Sequence, residues 1–138
     1  METQELRIGN YIDTLNRSGS VHLPNNKPMI LGSISFFKVE LYEIYKPFGE
    51  QLVPPKTDVF DLAPIPITKE WLIKFGFKQY SKLSSFQKRG CKFHIRKNKG
   101  FIAYLSIYSD SSKILTRVHY IHQLQNLYYA LTVKELTL

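Results

Sequence analysis

Apolar and polar residues alternate with a period of two in five stretches of the chain, as expected for β-strands with one buried face. Turn residues such as Gly, Pro and Asn separate these stretches, and Asn98, Lys99 and Gly100 predict a hairpin turn. The alternating stretches are residues 6–12, 34–45, 91–97, 101–108 and 113–120. The pattern therefore predicts a protein rich in antiparallel β-sheet.

Two other segments follow the helical period of 3.6 residues. The first is KEWLIKFG, where Thr68 is placed to cap the helix and Gly76 to end it. The second covers residues 121–131, and its apolar stripe consists of Ile121, Leu124, Leu127, Tyr128 and Leu131. The opposite side, which we expect to be exposed to solvent, carries His122, Gln125, Asn126 and Tyr129.

A junction between two parts of the chain is predicted at LAPIPIT, because Pro64 and Pro66 exclude a helix there. We expect a β-rich N-terminal part (1–63) and an α-β-β-β-α part (64–138) that form one compact unit. The predicted fold class is α+β with antiparallel sheets, and an SH3-like barrel is one arrangement for the N-terminal part. The core positions predicted for the C-terminal part are Trp71, Leu72, Phe75, Phe93, Ile95, Leu105, Val118, Leu124, Tyr128 and Leu131.

The charge of the chain is concentrated in one window. Its 138 residues include 19 basic and 11 acidic residues, which gives a formal charge of +8. Residues 69–99 contain ten basic residues and one acid, Glu70, whereas the rest of the chain has nine basic and ten acidic residues. Aromatic residues lie between these cations, and cations that neutralise phosphates next to rings that stack on bases are typical of a nucleic-acid surface.

The basic window therefore predicts a non-enzymatic binding module for nucleic acid or another polyanion. Basic residues alternate along the first strand of the predicted hairpin, and two lysines flank its turn. Lysine and arginine contacts to phosphates do not distinguish DNA from RNA. The residues predicted to hold the polyanion are Lys88, Arg89, Lys92, Arg96, Lys97 and Lys99.

Two alternatives remain open. The polar side of the second helix, formed by His122, Gln125, Asn126 and Tyr129, would suit a protein partner, such as a host protein that this chain modulates. The other alternative is an enzyme or small-nucleotide binder with its site at the junction of the two parts. The sequence contains no phosphate-binding loop, dinucleotide fingerprint or nucleophile elbow, so we predict no catalytic residue.

The sequence also contains cysteine and histidine residues that are candidates for a metal site. The spacings Cys91-x₂-His94 and His119-x₂-His122 supply four potential zinc ligands. Residues three apart on a regular strand point to opposite faces, so Cys91 and His94 would diverge, and we predict no metal and no cofactor. No apolar run approaches the roughly 18 residues of a membrane span, and Cys91 is the single cysteine, so we expect a cytoplasmic protein without membrane contact.

Three strings, RIGNYI, PIPITKEWLIKFGF and VHYIHQLQNLYYALTVKELTL, resemble an uncharacterised family of small proteins from Bacteroides-type bacteria, their prophages and related phages. Residues 13–60 and 78–112 do not contribute to this resemblance. It implies a cytoplasmic protein of phage or mobile-element origin, and it implies no reaction, because no activity is assigned to the family. Val133 stands where similar proteins have Gly after ALT, so a glycine C-cap is not available to the second helix.

Overall fold

A computed structural model describes residues 6–18, 21–24, 28–35, 38–43, 56–58, 62–80, 84–97, 99–107 and 111–138. Over these residues the fold is α+β, with antiparallel sheets and two helices, as the sequence predicts. The chain divides into two compact units, an N-terminal unit of Met1–Ile65 and a C-terminal unit of Pro66–Leu138. That the two parts form one compact unit, and that the first is SH3-like, stay predictions.

The N-terminal unit is built on an antiparallel sheet in which the strand order is β2-β1-β3-β4-β5, with β6 paired to β1. Its strands are β1 (Tyr11–Ser18), β2 (Val21–Pro24), β3 (Met29–Ser35), β4 (Lys38–Glu43), β5 (Lys56–Asp58) and β6 (Leu62–Ala63). The first strand begins later than predicted, because Gly9 has a φ of 91° and a turn precedes Tyr11. Residues 34–45, predicted as one strand, span the end of β3 and all of β4, which pair with each other.

The described core of the N-terminal unit contains an aliphatic cluster. It consists of Leu6, Ile12, Met29, Leu31, Leu41 and Leu62. Asn10 is buried at its edge and accepts a hydrogen bond from the backbone N–H of Arg7 through Oδ1, at 2.7 Å. This bond satisfies a buried polar group that would otherwise cost stability.

The C-terminal unit contains one antiparallel sheet with the order β11-β10-β9-β8-β7. Its elements are α1 (Lys69–Lys74), β7 (Lys78–Tyr80), β8 (Ser85–Gln87), β9 (Phe93–Lys97), β10 (Phe101–Ile107), β11 (Ser111–Val118) and α2 (Ile121–Thr132). Five strands therefore stand between the helices where three were predicted. The two missed strands, β7 and β8, have three residues each, which is too short for an alternating pattern to be recognised.

Both ends of α1 follow the local chemistry of its sequence. The Thr68 hydroxyl accepts a hydrogen bond from the backbone N–H of Trp71 at 3.4 Å, which makes Thr68 the predicted N-cap. Gly76 has a φ of 80°, and the N–H of Phe77 donates to the carbonyl of Leu72 at 2.9 Å. This is a Schellman ending, and the predicted boundaries of the helix are confirmed.

The core of the C-terminal unit is rich in aromatic rings. Phe93 is fully buried on β9, and its ring lies 6.3 Å from the ring of Phe77 and 6.3 Å from the ring of Tyr128. Through Tyr128, α2 packs on this buried face of the sheet. Leu131 was predicted to be in the core but is 38% exposed, because it lies in the last turn of the helix. The predicted core side chain of Leu105 lies outside the described side chains.

A register shift in β11 changes which face its residues occupy. Ala103 pairs with Thr116, but the next residue of β10, Tyr104, pairs with Ile114, so Leu115 is an extra residue. Ile114 is therefore 64% exposed, whereas Val118 is buried. Regular alternation over residues 113–120 would place Ile114 and Val118 on the same face. This prediction is wrong, because a β-bulge reverses the alternation beyond it.

Candidate nucleic-acid interface

The six residues predicted to hold a polyanion form two groups at opposite ends of β9. The turn group lies between β8 and β9 and comprises Lys88, Arg89 and Lys92. The tip group lies at the end of β9 and in the turn before β10, and comprises Arg96, Lys97 and Lys99. A strand rises about 3.3 Å per residue, so Lys92 and Arg96, which are four positions apart, lie about 13 Å from each other along β9.

Within the turn group, one lysine has an internal partner and the other two cations are exposed. Lys88 is half-buried, and its Nζ donates to the carbonyl oxygen of Phe75 at the end of α1. A cation is favoured there because the carbonyls at a helix C-terminus carry partial negative charge. Arg89 and Lys92 are exposed in the turn, so they are the members of this group that can meet a ligand without losing a described bond.

Two grooves flank the turn group. The first has a volume of about 320 Å³, and its cationic lining residues are Lys78, Lys88 and Arg89. The second has a volume of about 280 Å³, and its cationic lining residues are Arg89, Lys92 and Lys134. Arg89 therefore borders both grooves, and the fold adds two lysines to the predicted set.

Of the two added lysines, only one lies in the basic window that the sequence analysis identified. Lys78 lies inside the basic window of residues 69–99, so its charge was counted although its position was not singled out. Lys134 follows α2, more than 40 residues after the turn group along the chain. No local pattern relates Lys134 to Arg89, because their proximity comes from the packing of the helix on the sheet.

Cys91 separates the two exposed cations of the turn group. It is 8% exposed, and burial raises the pKa of its thiol above the ordinary value. The thiol form is therefore favoured at neutral pH, and a small buried side chain holds the turn against the core. Cys91 and His94 belong to the spacing considered for zinc. Among the described residues, no group of three or more His, Cys, Asp or Glu side chains is arranged to hold a metal ion.

In the tip group, two of the three cations lie against aromatic rings. The guanidinium of Arg96 lies 5.0 Å from the ring centre of Tyr104, and Nζ of Lys97 lies 5.9 Å from the ring centre of Phe101. The pKa of the Glu70 carboxyl lies below its ordinary value, because its own backbone N–H and the Thr68 hydroxyl bond to it and because lysines, including Lys97, lie nearby. Lys99 is exposed.

His94 lies between the two groups, on the same face of β9 as Arg96. Its ring stacks on Tyr104, with the ring centres 5.5 Å apart and the planes 8° from parallel. Burial lowers the pKa of His94, and the neighbouring charge of Arg96 lowers it further. The neutral imidazole is therefore favoured, which suits a planar stack better than a charged one.

The side of α2 predicted to face a protein partner is not exposed. His122 is fully buried and Gln125 is 1% exposed, and Nε2 of Gln125 donates to the carbonyl oxygen of Leu136 at 3.1 Å. The expected exposure of both residues is wrong. The chain beyond α2 folds back over Gln125, and the ring of His122 stacks on the ring of Tyr120, with the ring centres 5.7 Å apart. Asn126 is partly exposed and Tyr129 is 38% exposed, so these two are what is left of the predicted surface.

The comparisons with known proteins give no family for the chain. No family model matches it, and neither a curated protein nor a solved structure does. The resemblance to a phage-associated family therefore stays a prediction, and so does the alternative of a site at the junction of the two parts. In the described part of the chain, neither helix has the length and apolar character needed to cross a membrane.

Proposed function

We propose that the protein is a non-enzymatic binding module for nucleic acid or another polyanion, and that the C-terminal unit holds the ligand. The observation that carries the proposal is the position of the turn group and the tip group at the two ends of β9. Residues 66–138 contain 13 basic and three acidic residues, so few carboxylates oppose a phosphate polymer there. Cations of this kind bind phosphates with release of counterions.

The separation of the two groups favours a polymer over a small anion. A single phosphate in one of the grooves contacts the turn group but does not reach the tip group, about 13 Å away. A chain of phosphates that runs along β9 contacts both. Polyvalent contact of this kind increases affinity, because each further contact is made within the same complex.

Fluorescence anisotropy with a labelled oligonucleotide of about 20 nucleotides tests the proposal. If about five phosphates are contacted, affinity for a duplex falls roughly 500-fold between 50 and 200 mM salt, and affinity for a single strand falls about 130-fold. Absence of binding at about 50 mM salt, or a flat salt dependence, would contradict the proposal.

Paired variants locate the contacts. Arg89→Gln with Lys92→Gln removes two cations of the turn group, and Lys97→Gln with Lys99→Gln removes two of the tip group. Each pair should reduce the slope of log affinity against log salt by about 1.4 to 1.8. The matched control is Lys74→Gln with Lys113→Gln, which removes two exposed cations of the same unit that do not line the described grooves. An equal effect of the control would mean that net charge acts without a defined site.

A further inference from the structure

The strand pairing of the C-terminal sheet aligns its side chains in two rows. We define the outer face as the face of this sheet opposite the buried face that carries Phe93 and Ile95. Directly paired residues on neighbouring strands share a face, so the rows follow from the register. The first row is Lys78, Gln87, His94, Tyr104 and Ile114. The second row is Tyr80, Ser85, Arg96, Ile102 and Arg117.

The outer face carries planar groups that are already ordered. Tyr80 is 59% exposed at the β7 edge, and Tyr104 is half-buried on β10, where it pairs with His94 of the first row. His94 is stacked parallel on Tyr104, and the guanidinium of Arg96 lies over the same ring. Groups held in place by such contacts lose little conformational entropy when a ligand stacks on them.

The charge on the outer face has one sign. Lys78 and Arg117 are exposed at opposite edges of the sheet, and Arg96 lies between them. The ten residues of the two rows include no Asp or Glu. Soluble surfaces usually mix both signs, so these three cations, together with the exposed ring of Tyr80 and the half-buried rings of His94 and Tyr104, indicate a complementary anionic ligand with flat groups.

The shape of this face distinguishes between forms of nucleic acid. Five strands spaced about 4.8 Å apart make a surface about 19 Å wide, which is wider than the roughly 12 Å major groove that admits a helix or a two-stranded ribbon. Bases in a duplex are also stacked on each other and do not offer their faces to tyrosine rings. Unpaired bases do, and sheets with exposed aromatic residues bind single strands in this way.

From these observations we propose that the outer face binds single-stranded nucleic acid, with bases stacked on Tyr80 and on the His94–Tyr104 pair, and with phosphates held by cations. The phosphate contacts are Lys78, Arg96 and Arg117. This inference rests on the proposed function and narrows it, because cations at the ends of β9 would accept any polyanion, whereas the rings require unpaired bases.

The test measures affinity and salt slope for three probes: a labelled single-stranded oligonucleotide of about 15 nucleotides, the duplex of the same sequence, and heparin. We expect the single strand to bind at least about 10-fold more tightly than the duplex. Tyr80→Ala and Tyr104→Ala should each lower single-strand affinity by about 5- to 150-fold, with the salt slope unchanged, because stacking releases no counterions. Tyr80→Phe keeps the ring and should retain the affinity.

Two residues of β11 provide the matched control for charge. Arg117 pairs with Ile102 on the outer face, whereas Lys113 pairs with Leu105 on the opposite face, and both are exposed. Arg117→Gln should lower the affinity and reduce the single-strand salt slope by about 0.7. Lys113→Gln removes the same charge from the same strand and should leave both nearly unchanged.

The outcomes separate this inference from the proposed function. Equal binding of single strand, duplex and heparin, with no effect of the tyrosine variants, would overturn the inference and leave a general polyanion module. Absence of binding to all three probes would overturn both. Tyr80 is exposed on an edge strand, so Tyr80→Ala decides the question even if Tyr104→Ala fails to fold.

Discussion

The N-terminal and C-terminal units differ in charge and, over the residues that the structure describes, in the share of aromatic rings in their cores. Residues 1–65 contain six basic and eight acidic residues, whereas residues 66–138 contain 13 basic and three acidic residues. Over the described residues, the N-terminal core is mainly aliphatic, with Tyr11 as its buried aromatic residue, whereas the C-terminal core is organised around aromatic rings such as Phe93. Antiparallel sheet is common to the two units, so neither difference is required by the class of fold.

The difference in charge supports the proposal that the C-terminal unit binds the ligand. A formal charge of +10 on a unit of 73 residues opposes folding through self-repulsion, and a ligand-free protein gains nothing from it in stability. The N-terminal unit builds a sheet with nearly balanced charge. Formation of an antiparallel sheet therefore does not require the excess of cations in the C-terminal unit, and binding of an anionic ligand explains it better. The following predictions test this difference between the two units.

The largest expected effect concerns the aromatic core. Phe93 is fully buried, and Phe93→Ala should lower the free energy of unfolding by about 3–5 kcal/mol, because it removes a ring with partners on both sides and leaves a cavity. Urea unfolding followed by the fluorescence of Trp71, the single tryptophan, measures this loss. Leu31→Ala in the aliphatic core, followed by circular dichroism, is the comparison, and a larger loss there would contradict the central role given to Phe93.

The next effect separates a structural cation from cations available to a ligand. Lys88→Met should lower the free energy of unfolding by about 1 kcal/mol, because it removes the hydrogen bond to the Phe75 carbonyl at the end of α1. Arg89→Gln should change stability by less than about 0.5 kcal/mol, because Arg89 is exposed. Thermal unfolding and oligonucleotide binding measured on both variants should show opposite rankings, and a stability loss for Arg89→Gln as large as that for Lys88→Met would contradict this division.

A smaller effect is expected at the end of α2, where backbone strain lies beside the second groove. Val133 has a φ of 55°, which is unfavourable for a β-branched residue, and its N–H donates to the carbonyl of Tyr129 at 2.7 Å. Val133→Gly should raise the free energy of unfolding by about 0.5–1 kcal/mol, with polyanion affinity unchanged. Thr132→Gly, inside the last turn of the helix, is the control and should lower the free energy of unfolding by about 0.3–0.5 kcal/mol. Destabilisation by both variants would show that the strain at Val133 is not relieved by glycine.

The smallest expected effect is a dependence of stability on pH, caused by His94 on the outer face. The folded-state pKa of His94 lies below its ordinary value of 6.5, so the unfolded chain binds more protons in the interval between the two values. Stability should therefore fall as the pH is lowered through about 6.5 and should level off below the folded-state pKa. Thermal unfolding at a series of pH values measures this, and His94→Gln should reduce the decline. An unchanged decline in the variant would assign it to other groups.

Several features were predictable because they depend on neighbours in the chain. Thr68 before an apolar helical stripe and Gly76 after it marked both ends of α1. The hairpin of β9 and β10 was predicted because apolar and polar residues alternate on both sides of a turn that contains Gly100. The two short strands β7 and β8 were missed because three residues do not make a pattern. The predicted face of Ile114 was wrong because Leu115 forms a β-bulge.

Charge and local structure can be read from the order of residues, because capping, turn conformation and formal charge depend on a few adjacent groups. The meeting of Lys134 with Arg89 at one groove, the burial of Gln125 under the returning chain, and the two rows across five strands depend on packing and register. Those properties depend on residues that are far apart in the chain. A shift of the pairing register by one residue would exchange the two faces of a strand. The basic window was thus evident from composition, whereas its division into two groups at the ends of β9 required the folded protein.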